Sequence, residues 1–311
     1  YVQYYFPKLL QRYHIDIYHS LKHVGPLFTS VPTIVTLHSI RPFSERQEGY
    51  VSEFDLVNKI YWKYIHRCGL KQATHIISIS HDCKKVITER LGIPEYKISV
   101  IYYGLDKKFR VIQDPEAIAE RRRRYSLPEK YILCVGNFYP YKNSDTVVKM
   151  FLKLREQNKE APKLVMVGDT THAGSQFFKL INELTLGNDI IFTNYVEQDD
   201  MVYIYNGATL LVFPPSEAGF GLPLLEAMAC GVPIVASDRG AIAEITGGAA
   251  LLLKNPRDEG EMLNAVCRVL EDHQLRQTLQ QKGYQRAQEF SWETSALKVL
   301  DLYKTIGREN L

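Results

Sequence analysis

The sequence predicts an α/β protein built from two domains, each a parallel sheet covered by helices on both faces. Three observations carry this prediction. Short apolar runs bounded by turn residues alternate with stretches of helical spacing, the pattern of strands buried on both sides. The 311 residues, 45% of them hydrophobic, suffice for two buried cores. A polar, charged stretch from Gly104 to Lys130, carrying Pro115 and Pro128 and no strand of its own, separates the runs into two sets.

The chain opens on what reads as the end of a helix, Tyr1 to Tyr13, so part of an N-terminal portion is expected to be missing. Strands are expected at Ile15–His19, Thr33–His38, His75–Ser80 and Ile98–Tyr102. Ser52-Glu53-Phe54-Asp55 resembles a capping box, and Phe54, Val57, Ile60, Tyr61 and Tyr64 follow at helical spacing before Gly69, which predicts a core-packing helix. Four strands fall short of the five or six usual in a doubly wound domain. Residues 1–109 are therefore expected to form an incomplete domain with an unpaired edge, and a partner supplying the missing part is one way of covering it. Residues 110–311 form the second domain, with strands at Tyr131–Val135, Lys163–Val167, Ile190–Thr193, Thr209–Phe213, Pro233–Ser237 and Ala250–Leu252. Ser291 is placed to cap a last helix running through Leu297, Leu300 and Tyr303.

Composition narrows the function. Net charge is +3, from 38 basic and 35 acidic residues, so no strong field draws the chain to nucleic acid. The run Arg121–Arg124 reads either as a solvated helix face or as a contact for an anionic membrane surface. Five scattered cysteines (Cys68, Cys83, Cys134, Cys230 and Cys267), with no C-x-x-C spacing, read as free thiols of a reducing cytoplasm. No apolar stretch reaches the roughly 18 residues of a membrane span, so any membrane contact is expected to be peripheral, at the inner face.

The chemistry concentrates between Ser216 and Asp238. The strand before it ends at Pro214-Pro215; Gly219 and Gly221 let the backbone approach a ligand, and Pro223 suits the first turn of a helix that stops at Gly231. The amides and positive dipole end at Gly221–Leu224 would then face the carboxyl edge of the sheet, where a diphosphate is a natural occupant. Glu226, one turn in, can offer two oxygens to a ribose diol. The plainer alternative is a glycine-containing strand-to-helix turn with a capping acid.

Gly219-Phe220-Gly221-Leu222-Pro223, then Glu226-Ala227-Met228-Ala229 and Gly231-Val232-Pro233, resemble the hallmark of glycosyltransferase family 4, the retaining enzymes of the GT-B fold. The resemblance extends from about Ile15 to Tyr303. It implies two Rossmann-like domains, an acceptor-side one first and a nucleotide-sugar-binding one second, with the C-terminal helix packing back on the first. It also implies transfer of a hexose from a UDP- or GDP-sugar, UDP favoured, to a saccharide or lipid-linked acceptor in cell-surface polysaccharide synthesis. In the family the acceptor hydroxyl attacks on the face the nucleotide leaves, aided by a phosphate oxygen.

By the same resemblance Glu226 binds the ribose, and the amides of Gly219, Phe220, Gly221 and Leu222 bind donor sugar and phosphate. The family's first acid falls on Ala218, whereas this chain carries Glu217 one place earlier. Glu217 reaching the sugar through a shifted loop, weakened catalysis, and a non-native Ala218 all remain open. Gly136-Asn137-Phe138-Tyr139-Pro140-Tyr141-Lys142-Asn143 is similar to the family's phosphate loop, with Lys142 toward the diphosphate and Asn137 where an Arg is usual. Val196 occupies the place from which the family reads the base through backbone groups, and Gly168-Asp169 reads as a turn. His38 ends a Thr36-Leu37-His38 element whose histidine touches the transferred sugar in the family, although a lone strand-end histidine is equally a structural residue; His19, His23 and His81 are weaker candidates. Ile98–Asp106 matches the end of the family's first domain, with Tyr103 in place of Asn. Asp169, Asp199 and Asp200 lack the D-x-D spacing another glycosyltransferase fold uses for a cation, so no metal or other cofactor is expected. The alternatives are a nucleotide-sugar-binding subunit without activity of its own, or an epimerase or phosphorylase on a similar fold.

Overall fold

Short runs rich in branched apolar residues become most of the strands, the three-residue Tyr18–Ser20 excepted. The computed structural model describes residues 3–21, 25–39, 64, 66–171, 173, 177, 179–181 and 189–309. The chain divides into two units, Tyr1–Gly104 with Ser291–Leu311, and Leu105–Phe290.

In the first unit β1 (Tyr18–Ser20), β2 (Thr33–Leu37), β3 (His75–Ser78) and β4 (Ile98–Val100) lie parallel in that order. Every residue of β2 is buried, as an apolar run without alternation requires of a strand covered on both faces. Helices α1 (Tyr5–Arg12), α2 (His66–Gln72) and α3 (His81–Leu91) belong to this unit, and the Ser80 hydroxyl caps α3 by accepting the Cys83 N–H at 3.1 Å. Residues 52–63 of the expected capping-box helix, and His23, lie outside the described residues. Tyr64 is exposed rather than buried. Gly69 does not end a helix, because α2 runs through it. A Cβ there would stand 3.2 Å from the Gly25 carbonyl oxygen, so this glycine serves close approach, not termination.

The second unit holds a parallel sheet of β5 (Tyr131–Val135), β6 (Lys163–Val167), β7 (Ile190–Asn194), β8 (Leu210–Phe213), β9 (Ile234–Ser237) and β10 (Ala250–Leu253). Their order is β10-β9-β8-β5-β6-β7. Strand order thus reverses between β5 and β8, and the crevice beyond the carboxyl ends of such a pair is where open parallel sheets bind ligands. The helices are α4 (Pro115–Arg124), α5 (Ser144–Gln157), α6 (Met201–Gly207), α7 (Leu222–Ala229), α8 (Ile242–Thr246), α9 (Glu259–Glu271) and α10 (His273–Ala287). Val147, Val148 and Phe151 of α5 and Met262 and Val266 of α9 share one core with Ile132, Leu164 and Leu210 of the sheet. Against the other side of the chain, α7 packs on α10.

The last helix, α11 (Trp292–Glu309), returns to the first unit, where Ile306 shares a core with Ile34, Ile77 and Ile101. Ser291 caps it, accepting the Thr294 N–H at 3.3 Å, and the Ser295 hydroxyl donates to the Tyr102 carbonyl at 2.6 Å. Leu297 and Leu300 lie exposed, so Val299, Leu302 and Tyr303 supply its packing face. The first unit therefore ends at Gly104 rather than at the boundary drawn at 109/110, and the last helix packs back on it, as the resemblance implied, rather than counting with residues 110–311. Division falls after Gly104 because Phe109 buries its ring edge-on against Tyr205, 5.8 Å between centroids, inside the second unit. Residues 291–311 leave the second unit because their apolar face is spent on the first sheet.

Candidate functional site

The floor of the crevice is made by loops that leave β5 and β8. Gly136 follows β5 with φ +142°, and its N–H bonds the Val167 carbonyl at 2.9 Å; Gly168 follows β6 with φ +136° and bonds Asn194 O at 3.0 Å. A Cβ on Gly168 would stand 2.8 Å from the Gly136 carbonyl carbon and nearer still to its oxygen, so only glycine lets the tips of β5 and β6 meet. A Cβ on Gly136 would meet nothing within 4 Å: that position opens outward. Lys142 ends a single 3-10 turn, Pro140–Lys142, with its ammonium 5.1 Å from the ring centres of both Tyr141 and Phe213, the latter ending β8. Gly136, Asn137 and Lys142 thus line one depression with Phe213, Pro214 and Pro215. Burial there pushes the neighbouring Cys134 thiol up to about 12, with Lys142 pulling the other way, so it stays an inert thiol.

Asn143 binds the two loops together. It is buried, adopts φ +55°, and its Nδ2 donates to Pro214 O at 2.7 Å and to Ser216 Oγ at 3.0 Å, while Arg257 Nε donates to its Oδ1 at 3.2 Å. The Ser216 N–H adds a bond to Tyr141 O at 2.7 Å. The phosphate-loop match contained this asparagine, but nothing in the pattern marked its side chain as the tie.

From Ser216 the chain turns into α7. Gly221, at φ +105°, is its N-cap and carries no side chain to cap it; a Cβ there would come 2.8 Å from Leu224 Cδ1. Pro223 lies in the first turn. The N-terminal tip is therefore not sealed by a capping side chain; Pro223 carries no N–H and the Leu224 N–H turns back to Gly221 O at 2.9 Å, so what the tip offers an anion is chiefly the positive end of its dipole. Phe220 is buried with its ring edge-on to Phe290, so only its backbone remains for a ligand, while Gly219 and Leu222 are partly or largely exposed.

Glu226 sits one turn into α7, half-buried, and Oε2 accepts the Tyr205 hydroxyl at 2.6 Å. Burial raises its carboxyl from the ordinary range, the Tyr205 hydroxyl and then the Lys108 ammonium oppose this, and Asp106 adds to it. Tyr205 is fully buried on α6, and its phenol is raised well above the ordinary value by burial first and by Glu226 next. Sequence reading missed Tyr205, since an aromatic residue in a short helix carries no mark of the acid it meets.

Ala218 is buried, and its carbonyl accepts the Ala241 N–H at 2.9 Å; Glu217 beside it is half-buried. Val196 is buried beyond β7, at the far end of the β5-β6-β7 edge. The segment after it is held by α4: Asp200 accepts Arg121 Nε at 2.7 Å, Arg124 Nη1 at 2.8 Å and Tyr125 Oη at 2.7 Å. Arg122 donates to Glu129 O and Arg123 to Glu116. The basic run is thus engaged within the second unit. Among the described residues no three His, Cys, Asp or Glu gather to hold a metal, and no helix is long and apolar enough to cross a membrane.

In the first unit His38 follows β2. Its Nε2–H donates to Leu21 O at 2.8 Å, which leaves Nδ1 to accept from Tyr103 Oη in a short bond. Tyr103 stacks on His38 and tilts against Trp292, and burial pushes its phenol up. His19 joins Tyr303 Oη at 2.5 Å and Thr36 Oγ1 at 2.7 Å; burial, then His38, lower its pKa. His81 begins α3 and meets Tyr102 edge-on.

Comparison with known proteins agrees with this arrangement. Residues 118–286 match the family model of glycosyl transferases group 1, and residues 2–109 match that of glycosyltransferase family 4. The O-antigen chain mannosyltransferase RfbU of Salmonella typhimurium is 28% identical over 75% of this chain and 59% of its own length. The O-antigen chain mannosyltransferase B of Escherichia coli is 26% identical over 78% and 64% respectively. The chain therefore spans less than two thirds of either relative. Among solved structures, Anabaena Alr3699/HepE in complex with UDP and glucose superposes with a TM-score of 0.77 at 18% identity, over 96% of this chain and 80% of that one. WaaG, a glycosyltransferase involved in lipopolysaccharide biosynthesis, gives 0.75 at 15% identity over 95% and 80%.

Proposed function

We propose, from the premise that this chain belongs to the glycosyl transferases group 1 and matches glycosyltransferase family 4 over residues 2–109, that it transfers a hexose from a nucleoside diphosphate sugar to a saccharide acceptor with retention. One observation carries the reading: a helix tip with no capping side chain, α7, holds an acid one turn inside, and its loop is tied through Asn143 to the turn bearing Lys142 at the strand-order reversal. Helix tip and ammonium complement a diphosphate, and Glu226 complements a ribose diol. In the transfer the C1–O bond to phosphate breaks, a C1–O bond to the acceptor forms on the same face, and the acceptor proton passes to a phosphate oxygen. Lys142 and the α7 dipole stabilise the charge that develops on the departing nucleotide. Glu217 is assigned to the hexose, and backbone groups at Val196 to the base.

Names of the relatives support a mannosyl group and a surface-polysaccharide acceptor, while the UDP in the Anabaena structure supports the uridine donor. Thermal denaturation with UDP-glucose, UDP-galactose and GDP-mannose tests the reading, since a ligand bound only by the folded state must raise the midpoint. The sugar that does so should release its nucleotide in the presence of a saccharide acceptor, with the anomeric configuration kept by NMR. No stabilisation by any of them would tell against a donor site here. The buried Ala218, where the family carries an acid, favours a second reading, a nucleotide-sugar-binding subunit. Stabilisation without release over a range of acceptors would select it.

A further inference from the structure

The least explained polar contact in the second unit is the one behind Glu226. Tyr205 is fully enclosed, yet its hydroxyl reaches out to a carboxylate that the ribose reading needs. Its helix is fixed at both ends. Asp200, the N-cap of α6, is gripped by Arg121, Arg124 and Tyr125. At the other end Asn206 accepts the Ile112 N–H at 2.8 Å and donates to Arg110 O at 2.9 Å, and the Phe109 ring closes over Tyr205. The backbone that carries this hydroxyl is thus anchored on both sides, and its ring is enclosed.

We propose that Tyr205 is a positioning residue for the nucleotide: its hydroxyl sets the rotamer of Glu226 through Oε2, leaving Oε1 and one lone pair of Oε2 to accept from the ribose diol. The inference rests on Glu226 being the ribose contact. A carboxylate with two free torsions before its terminal group would lose order on meeting a diol, whereas one already pinned at a single oxygen loses less. The second consequence is electrostatic. Groups acting on Glu226 are Tyr205 from α6, Lys108 and Asp106 from the segment after Gly104, and Cys230 at the end of its own helix; Asp199 in turn pairs with Lys108 at 3.2 Å. Burial favours the protonated acid, which cannot accept two ribose hydroxyls as a carboxylate does, and the Tyr205 hydroxyl is the foremost group opposing it.

Calorimetry of the full chain with UDP, or GDP if that is the base bound, between pH 5.5 and 8.5 tests this with Tyr205→Phe, Glu226→Gln and the double variant. For the unsubstituted protein, affinity is full at high pH and declines as pH falls through the titration of Glu226. Tyr205→Phe should bind about tenfold more weakly at pH 8, the loss of roughly one hydrogen bond to a charged group, and its decline should begin at higher pH. Glu226→Gln should bind weakly throughout with no such decline, and adding Tyr205→Phe to it should cost nothing further. Unchanged affinity and pH profile in Tyr205→Phe would overturn the proposal, and so would an equal loss on the Glu226→Gln background, which a merely structural tyrosine produces. Should Tyr205→Phe not fold, a crystal structure of the unsubstituted protein with UDP decides: the Tyr205 hydroxyl should remain on Glu226 Oε2 while the ribose hydroxyls meet the same carboxylate, and a carboxylate that has left Tyr205 overturns the proposal. If Glu226→Gln binds like the unsubstituted protein at every pH, it is the ribose assignment itself that fails.

Discussion

Gly168→Ala probes whether the meeting of β5 and β6 shapes the phosphate loop. Two costs arise. Alanine at φ +136° is strained by about 1–3 kcal/mol, and its Cβ would lie 2.8 Å from the Gly136 carbonyl carbon, so the Gly136 peptide must retreat by about 1 Å to reach ordinary contact. A unit of this size loses roughly 2–4 °C of Tm per kcal/mol, so the midpoint should fall by about 5–10 °C. Because Gly136 begins the loop that carries Lys142, an ångström there should also weaken the transition state by up to about a hundredfold in kcat/KM. Gly136→Ala is the matched control. It carries similar strain at φ +142°, but its Cβ meets no protein atom within 4 Å, so Tm should fall by less while nucleotide affinity is lost to the Cβ standing where a ligand approaches. Differential scanning fluorimetry and UDP calorimetry measure both. Equal Tm losses in the two variants, or a Gly168→Ala protein with unchanged kcat/KM, would refute the argument.

Lys142→Ala should lower kcat about 10²–10³-fold, read by nucleotide release, with a small change in Tm because its ammonium rests over Tyr141 and Phe213 without closing a core; an unaltered kcat would remove it from the leaving-group site. Glu217→Gln should reduce turnover by at least tenfold while UDP affinity stays within twofold in calorimetry, and intact turnover would point instead to a chain that manages without an acid at this place. Asp200→Asn should lower Tm by several degrees and weaken UDP binding, since the segment between Val196 and α6 loses its charged anchor; a normal Tm would show that Arg121 and Arg124 find equal partners in water.

The central strands of the sheet were legible because they are buried on both faces, and continuous runs such as Tyr131–Val135 and Lys163–Val167 then declare both ends; the structure reproduces those two residue for residue. The turn into α7 was legible because glycine and proline each answer a local backbone demand there. What the sequence hid were pairings set by distance along the chain. Tyr205 and Glu226, or Asn143 and Ser216, meet only after strands are ordered, and no period or spacing announces them. Gly69 misled because a glycine required for close approach looks the same as one that ends a helix.

The arginine run shows how charge, once its partners are known, changes meaning. Read along the chain, four adjacent cations suggest either a solvated helix face or a contact for an anionic surface outside the protein. In the folded unit two of them converge on one buried carboxylate, and the others reach a carbonyl and a carboxylate nearby. Asp200 is buried, and the two guanidinium groups together with the Tyr125 hydroxyl satisfy its carboxylate oxygens at the head of α6. That acid fixes the helix on which Tyr205 stands. On the proposed reading the cationic run acts on the nucleotide at two removes, through Asp200 and Tyr205, so replacing Arg121 and Arg124 together by Gln should weaken UDP binding. A doubly substituted protein with unchanged UDP affinity would break that chain at its first link.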